Sequence, residues 1–168
     1  MFQKINIAVL TVSDSRTFAT DRSGDYLRGA ISEFGHCLYE RKIVPDNIYK
    51  IRAATSTWIA DPKCDAIIST GGTGVTGRDG TPEALVPLFD KELPGFGEVF
   101  RTVSFEEIGT STIQSRCVAG VANATYIFVL PGSTGACKTG WNGIIKYQLD
   151  SQTKPCNLIE LMPRLQEN

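Results

Sequence analysis

Two stretches of this chain are apolar at nearly every position over the length of a strand: Ile5–Val12 and Thr125–Leu130. A strand with one face in water alternates apolar and polar side chains. Ile7-Ala8-Val9-Leu10 and Ile127-Phe128-Val129-Leu130 do not alternate, so both of their faces must be covered. Such strands belong to a mostly parallel sheet whose crossover helices lie on both sides. The fold class that follows is α/β, a three-layer α/β/α sandwich. At 168 residues, with no linker, repeat or low-complexity tract, the chain reads as a single domain over 1–168.

The rest of the chain has the alternation this requires. A helix is expected from about Asp21 to Phe34, with Tyr26, Leu27, Ala30, Ile31 and Phe34 on one face and Gly35 as a left-handed cap. A strand from His36 to Val44 closes at Pro45-Asp46-Asn47, and Ile48, Ile51, Thr55, Trp58 and Ile59 mark a second helix. A third strand runs near Cys64 to Thr70. The next helix starts with Thr81 as its cap and Pro82 at its first position, and ends near Phe89. Leu93 to Arg101 breaks the rhythm before helix continues to Ile108. Ala119-Gly120-Val121 and Thr125–Leu130 are strands about a turn at Asn123. Cys137, Trp141, Ile144, Ile145 and Leu149 mark a last helix, and the tail (Leu158, Ile159, Leu161, Met162) packs back on the domain.

Composition narrows the function classes. The chain is 42% hydrophobic and 21% charged, with a net charge of −1, and has no basic stripe for a nucleic acid. No apolar run approaches the roughly 20 residues that span a bilayer. The N-terminus enters a strand directly and shows no signal peptide. The five cysteines are widely spaced without a C-x-x-C pair, which argues against disulfides or zinc and for a reduced, cytoplasmic setting. The single histidine, His36, reads as structural or surface rather than catalytic.

The third strand runs into Ser69-Thr70-Gly71-Gly72-Thr73-Gly74-Val75-Thr76-Gly77-Arg78-Asp79-Gly80, and a helix follows. Glycines remove Cβ atoms, so backbone N–H groups can close on an anion, and the helix N-terminus adds positive potential. An anion cradle needs no carboxylate, whereas a magnesium ion beside a phosphate does, which gives Asp79 a purpose. The loop lacks the Walker lysine. Gly72, Gly74 and Gly77 match the spacing of a dinucleotide loop, but after a third strand rather than the first. The plain alternative is a mobile glycine turn. In parallel sheets ligands bind at the carboxyl ends of the strands. Three loops should converge there, at Ser13 to Thr17, Gly71 to Gly80, and Pro131 to Gly135, making a pocket for a phosphate-bearing ligand.

Gly71-Gly72-Thr73-Gly74 with Asp79 and Thr81-Pro82-Glu83-Ala84, Thr11-Val12-Ser13-Asp14, Pro94-Gly95-Phe96-Gly97-Glu98, Ser115-Arg116 and Leu130-Pro131-Gly132 together resemble the molybdopterin-binding family. That family includes the MoaB and MogA proteins of molybdenum cofactor biosynthesis and the related domains of gephyrin. Matching motifs run in order from about Ile5 to Leu149. Phe96–Arg101 and Ser104–Thr112 look closest to the B branch. The resemblance implies a trimer or hexamer of identical subunits that binds molybdopterin, a pterin with a dithiolene and a terminal phosphate. In catalytic members Mg-ATP adenylylates that phosphate. It also implies that Asp46 and Asp79 are the catalytic acids, and that Ser13, Asp14, Gly71, Gly72, Thr73, Gly74, Glu98, Ser115, Arg116, Pro131, Gly132 and Ser133 lie in segments holding pterin or nucleotide. Partners within the molybdenum cofactor pathway stay open.

Adenylyl transfer joins two anions, so positioning and cation clamping should supply most of the acceleration. In that scheme the amides of Gly72 to Gly74 hold a phosphate, Arg116 pairs with an anionic oxygen, and Asp79 holds Mg2+. Asp46 is either a second magnesium contact or an acceptor for the pterin. Plainer roles stand beside these. Asp46 can be a turn residue, Asp79 a helix cap, Ser13-Asp14-Ser15 a turn, Arg116 half of a solvated ion pair, and Glu98 an ordinary helix acid. Cys117 and Cys137 lie near these segments, but small buried cysteines are commoner than nucleophiles. The phenylalanines from Phe96 to Phe105 suit a core or an interface. Three functions are thus in view: a Mg-ATP-dependent molybdopterin adenylyltransferase, a non-catalytic molybdopterin carrier or accessory protein, and a remote NAD(P)-binding oxidoreductase. The last needs an acid at a strand end about twenty residues after the glycines, where Lys91-Glu92-Leu93-Pro94-Gly95 offers no preceding strand.

Overall fold

A computed structural model describes residues 1–167. Its strands are β1 (Asn6–Val12), β2 (Cys37–Val44), β3 (Ala66–Thr70), β4 (Lys91–Glu92), β5 (Val118–Ala122) and β6 (Thr125–Leu130). Its α-helices are α1 (Arg22–Phe34), α2 (Ile48–Ile59), α3 (Thr81–Leu85), α4 (Pro94–Ile108), α5 (Thr134–Gly140) and α6 (Lys146–Gln148). A π-helical turn, Trp141–Ile145, joins the last two. Among the described residues the strands form one sheet in the order β2-β1-β3-β6-β5-β4. β2, β1, β3 and β6 are mutually parallel, and β5 runs antiparallel to both of its neighbours.

The doubly apolar strands do what their composition demands. Ile7 and Val9 of β1 join Leu27 and Ile31 of α1, Phe100 of α4 and Trp141 in one core. Ala8 and Leu10 join Ile51 and Trp58 of α2 and Leu85 of α3 in a second. Alternate side chains of the same strands thus fill two cores on opposite faces of the sheet, which makes a three-layer α/β/α sandwich. The tail packs back as expected, with Ile159 buried against the first core.

Several boundaries differ from the sequence reading for local reasons. Gly80, not Thr81, is the N-cap of α3. The Thr81 hydroxyl instead donates to the Gly71 carbonyl at 2.8 Å, and its amide donates to Gly72 at 2.9 Å. Leu93 to Arg101 is no break, because α4 begins at Pro94, a residue suited to a first helical position whose amide would lack a partner anyway. Gly97 within it lets the helix lie on β5: a Cβ there would stand 2.6 Å from the Cys117 carbonyl oxygen. A two-residue strand, β4, sits in the stretch Lys91–Gly95 where none was expected; it pairs antiparallel with β5, and both of its residues are exposed.

His36 precedes β2 rather than opening it and is buried at 4% exposure between the rings of Phe2 and Phe34. Its Nδ1 accepts from the Ile5 amide at 3.4 Å, and its Nε2 has no partner among the described residues. Burial holds its pKa below the ordinary value. The folded protein therefore keeps this ring neutral under conditions where the unfolded chain, near 6.5, takes up a proton. Above that pH the group is neutral in both states and has no effect. Below it the unfolded chain binds more protons, so stability falls with falling pH. Urea midpoints at about pH 7.5 and about pH 5.5 should separate by less in His36→Leu than in the wild type; equal separations would contradict this.

Candidate functional site

β1, β3 and β6 are adjacent in the sheet, so the loops leaving their carboxyl ends meet. They enclose a cleft of about 410 Å³ lined by Thr11, Ser13, Arg16, Asp21, Arg22, Gly71, Gly72, Gly132 and Ser133, among others. The loops approach so closely that a Cβ on Gly132 would lie 3.3 Å from the Cα of Gly71. Gly71 (φ 101°) and Gly72 (φ 66°) both adopt left-handed backbone. A Cβ on Gly71 would collide with the Val12 carbonyl, and one on Gly72 would meet the Thr81 hydroxyl and lie 3.0 Å from the Asp46 carboxylate.

The amide of Gly71 donates to Leu130 at 3.1 Å. Among the described residues the amides of Gly72 and Thr73 have no such partner. The first turn of α1, capped by Asp21, and that of α5, capped by Ser133, both line the cleft, as do Arg16 and Arg22. The unpaired Gly72 amide, two helix starts and two guanidinium groups give this cleft the character of an anion site.

The far part of the same loop borders a second pocket, of about 300 Å³, lined by Asp46, Tyr49, Arg78, Asp79 and Glu83 with intervening loop residues. One carboxylate oxygen of Asp46 is buried without a hydrogen-bond partner among the described residues. Burial first, then the charges of Asp79 and Asp14, push its pKa up. Asp79 goes the other way: its carboxylate accepts from the Thr76 amide at 2.9 Å and the Thr76 hydroxyl at 2.6 Å, which holds its pKa down. Two neighbouring acids thus differ in character because one is solvated by its own loop and the other is not.

No group of three or more His, Cys, Asp or Glu residues among those described is placed to hold a metal unaided. Magnesium needs less from a protein when phosphates share it, typically one or two carboxylates with waters completing the octahedron. The orphaned Asp46 oxygen, with Asp79 beside it, fits that kind of site.

The remaining expected residues divide into three groups. Gly132 and Ser133 line the cleft, and Pro131 supports it through its carbonyl, which accepts from the Thr70 hydroxyl at 2.8 Å. The Ser13 hydroxyl also lies at the cleft but is engaged by its own turn, accepting from the Arg16 amide at 3.1 Å. Asp14 links loops: it accepts from the Asp46 amide at 3.0 Å and from Arg78 at 2.6 Å, which holds its pKa down, with Arg78 the larger cause.

Arg116 has a structural commitment to the glycine loop. It donates to Gly74 at 2.8 Å, to the Asp79 carbonyl at 3.3 Å, and to Glu83, while its amide reaches the Thr73 carbonyl at 3.4 Å. Through it, Thr73 and Gly74 are fixed by their carbonyls. The Ser115 carbonyl accepts from Arg101 at 3.3 Å. Glu98 is exposed on α4 and lines neither pocket.

Sequence reasoning missed the support beneath the cleft. Asp21, 2% exposed, accepts from the Thr11 hydroxyl at 2.6 Å, from Arg41 at 2.8 Å and from the Gly24 amide at 2.9 Å. These bonds outweigh the upward push of burial and keep its pKa low. Ser23 ties α1 to the third loop, donating to the Gly132 carbonyl at 2.8 Å. The available signal was an arginine inside β2 and a hydroxyl inside the apolar β1: two polar side chains at interior positions need each other or a shared partner.

Residues 8–151 match the family described as "Probable molybdopterin binding domain". Over 156 residues the chain is 57% identical to molybdenum cofactor biosynthesis protein B of Escherichia coli, an alignment covering 93% of this chain and 92% of that one. A crystal structure of a molybdenum cofactor biosynthesis protein B superposes with a TM-score of 0.85 at 38% identity, covering 88% of this chain and 92% of the other. A tungsten cofactor synthesizing protein MoaB from Pyrococcus furiosus superposes at 0.76 with 39% identity, covering 84% and 91%.

Proposed function

The chain belongs to the molybdopterin-binding family of molybdenum cofactor biosynthesis proteins, and from that premise we propose that it binds molybdopterin through the glycine loop and adenylylates its terminal phosphate with Mg-ATP. The observation that carries the binding half is the pair Gly71 and Gly72, left-handed and free of Cβ atoms at the floor of a cleft rimmed by Arg16 and Arg22. The Gly72 amide presented there suits a phosphate monoester better than a neutral group, because its N–H meets a charged oxygen without displacing an internal bond, whereas the Gly71 amide is held by Leu130.

The transfer half rests on the buried, unpaired oxygen of Asp46. An unsatisfied carboxylate costs stability and is kept where it has a ligand to meet. Asp46 and Asp79 would hold Mg2+, which neutralises charge on the triphosphate when bound. The glycine-loop amides would hold the pterin phosphate in line. One of its oxygens then forms a bond to the α-phosphorus of ATP, the bond from that phosphorus to the bridging oxygen breaks, and pyrophosphate leaves with the electron pair. The attacking phosphate is already ionised near neutral pH, so no residue is needed to remove a proton. The task of the chain is alignment and charge compensation.

A non-catalytic carrier is the second reading, favoured by the firm commitment of Arg116 to the loop rather than to a ligand. Incubating the protein with molybdopterin, ATP and magnesium separates the two. Adenylylated pterin and stoichiometric pyrophosphate are expected; tight pterin binding without either product would leave the carrier, and no pterin binding would remove both. Oligomeric state belongs to the same proposal: the exposed Val99, Phe105, Ile108 and Ile113 give α4 and the following turn an apolar surface for a homo-oligomer.

A further inference from the structure

Arg116, the arginine that the sequence pattern marked for an anionic oxygen, has its donors spent on Gly74, Asp79 and Glu83. Releasing it would free two loop carbonyls and the Glu83 carboxylate on α3 at once. Arg78 is differently placed. It lines the pocket of Asp46 and Asp79, and among the described residues it donates only to one oxygen of Asp14, at 2.6 and 3.1 Å. Both side chains are largely in solvent, at 67% and 47% exposure. An exposed pair of this kind is held by little, so it exchanges partners readily.

Its position matters as much as its availability. Arg78 stands one residue before Asp79 at the end of the glycine loop, and its charge is felt at Asp46. Asp14 leaves β1, the strand that floors the cleft, and also fixes the Asp46 amide. The Arg78–Asp14 contact therefore bridges the loops of β1 and β3 at the mouth of the acidic pocket, where the anions of the transfer would meet.

Resting on the adenylyl-transfer reading above, we infer that Arg78 is a further catalytic residue: it leaves Asp14 for an oxygen of the nucleotide's phosphate chain, and Asp14 is the resting partner that parks it. A planar guanidinium offers two parallel N–H groups to such an oxygen pair and gains more there than from a solvated carboxylate. Charge on the leaving pyrophosphate is thereby offset without disturbing the Arg116 framework. No bond to Arg78 forms or breaks.

The alternative is a purely structural latch, and the two roles differ in sign. A latch is lost equally by removing either partner, so Arg78→Gln and Asp14→Asn would weaken nucleotide binding alike. If Asp14 competes with the nucleotide for Arg78, the two substitutions act oppositely. Asparagine keeps an acceptor for the Asp46 amide, which preserves that bond. Titration calorimetry with Mg-ATP, and with magnesium pyrophosphate, reads this without turnover. Arg78→Gln should weaken both ligands by about tenfold or more, while Asp14→Asn should tighten them by a few-fold. Molybdopterin affinity should change by less than about twofold in Arg78→Gln. Weakening of equal size in both variants, or unchanged affinity in Arg78→Gln, would overturn the inference. Failure of the wild type to bind Mg-ATP would instead remove the transfer reading on which it rests.

Discussion

Asp46→Asn should abolish adenylyl transfer, with a loss of roughly 100-fold or more in kcat, and at the same time make the protein harder to unfold. The first effect follows from removing a preorganised charge at the metal-phosphate centre. The second follows from the raised pKa. A carboxyl pushed up by burial and by the charges of Asp79 and Asp14 is ionised at a cost in the folded state that it does not meet in the unfolded chain. Asparagine removes that cost. Since Asp46 is half-buried, the gain is modest, a rise in Tm of about 1–3 °C near neutral pH. The sign has a pH signature. As pH falls through the raised folded pKa the difference between the two proteins should shrink, and well below about 4, where the carboxyl is protonated in both states, it should disappear. A variant that is inactive and less stable at neutral pH would mean that Asp46 is a structural turn residue after all. Thermal melts beside the adenylylation assay decide between these outcomes.

Gly72→Val is expected to have the second large effect, this time on affinity. Its Cβ would enter the space between the Thr81 hydroxyl and the Asp46 carboxylate, and valine would have to adopt a φ of 66°. The amide that is to meet the phosphate would be displaced, and molybdopterin affinity should fall by roughly 100-fold or more. The backbone strain adds a stability cost of about 1–3 kcal/mol, so binding must be measured where the variant is fully folded. Gly29→Ala, in α1 away from the cleft, supplies the comparison: nothing lies within 4 Å of a Cβ there, and its affinity should match the wild type. A Gly72→Val protein that is folded and binds molybdopterin as the wild type does would contradict the cradle.

Much of the architecture was legible because the determinants are local and strong. Unbroken apolar runs at Ile7–Leu10 and Ile127–Leu130 could only be strands covered on both sides, and both lie in the buried centre of the sheet. Gly35 caps α1 in the left-handed conformation, at φ 107°, because no other residue does so as cheaply. Convergence of the three loops followed from the parallel topology alone. What failed was local punctuation overruled by tertiary contact. Thr81 has the composition of a cap, yet the glycine loop takes its hydroxyl. Pro94, Gly95 and Gly97 look like breakers, yet they let α4 begin and then settle on β5.

The site was legible in part for the same reason. Glycines announce a backbone that must approach something, and Gly71, Gly72 and Gly132 do line the cleft. Sequence does not show which polar groups are already satisfied. Arg116 and Arg78 both flank Asp79 in space, and only the hydrogen bonds tell the committed guanidinium from the exchangeable one. Nor could spacing find the Thr11–Asp21–Arg41 network, because its members lie ten and twenty residues apart on three different elements.

The most direct test is a crystal structure of the protein grown with molybdopterin. The expected result is the terminal phosphate within hydrogen-bonding distance of the Gly72 and Thr73 amides, between the first turns of α1 and α5. Density for the pterin on any other face of the molecule, with those amides still without a ligand, would contradict it.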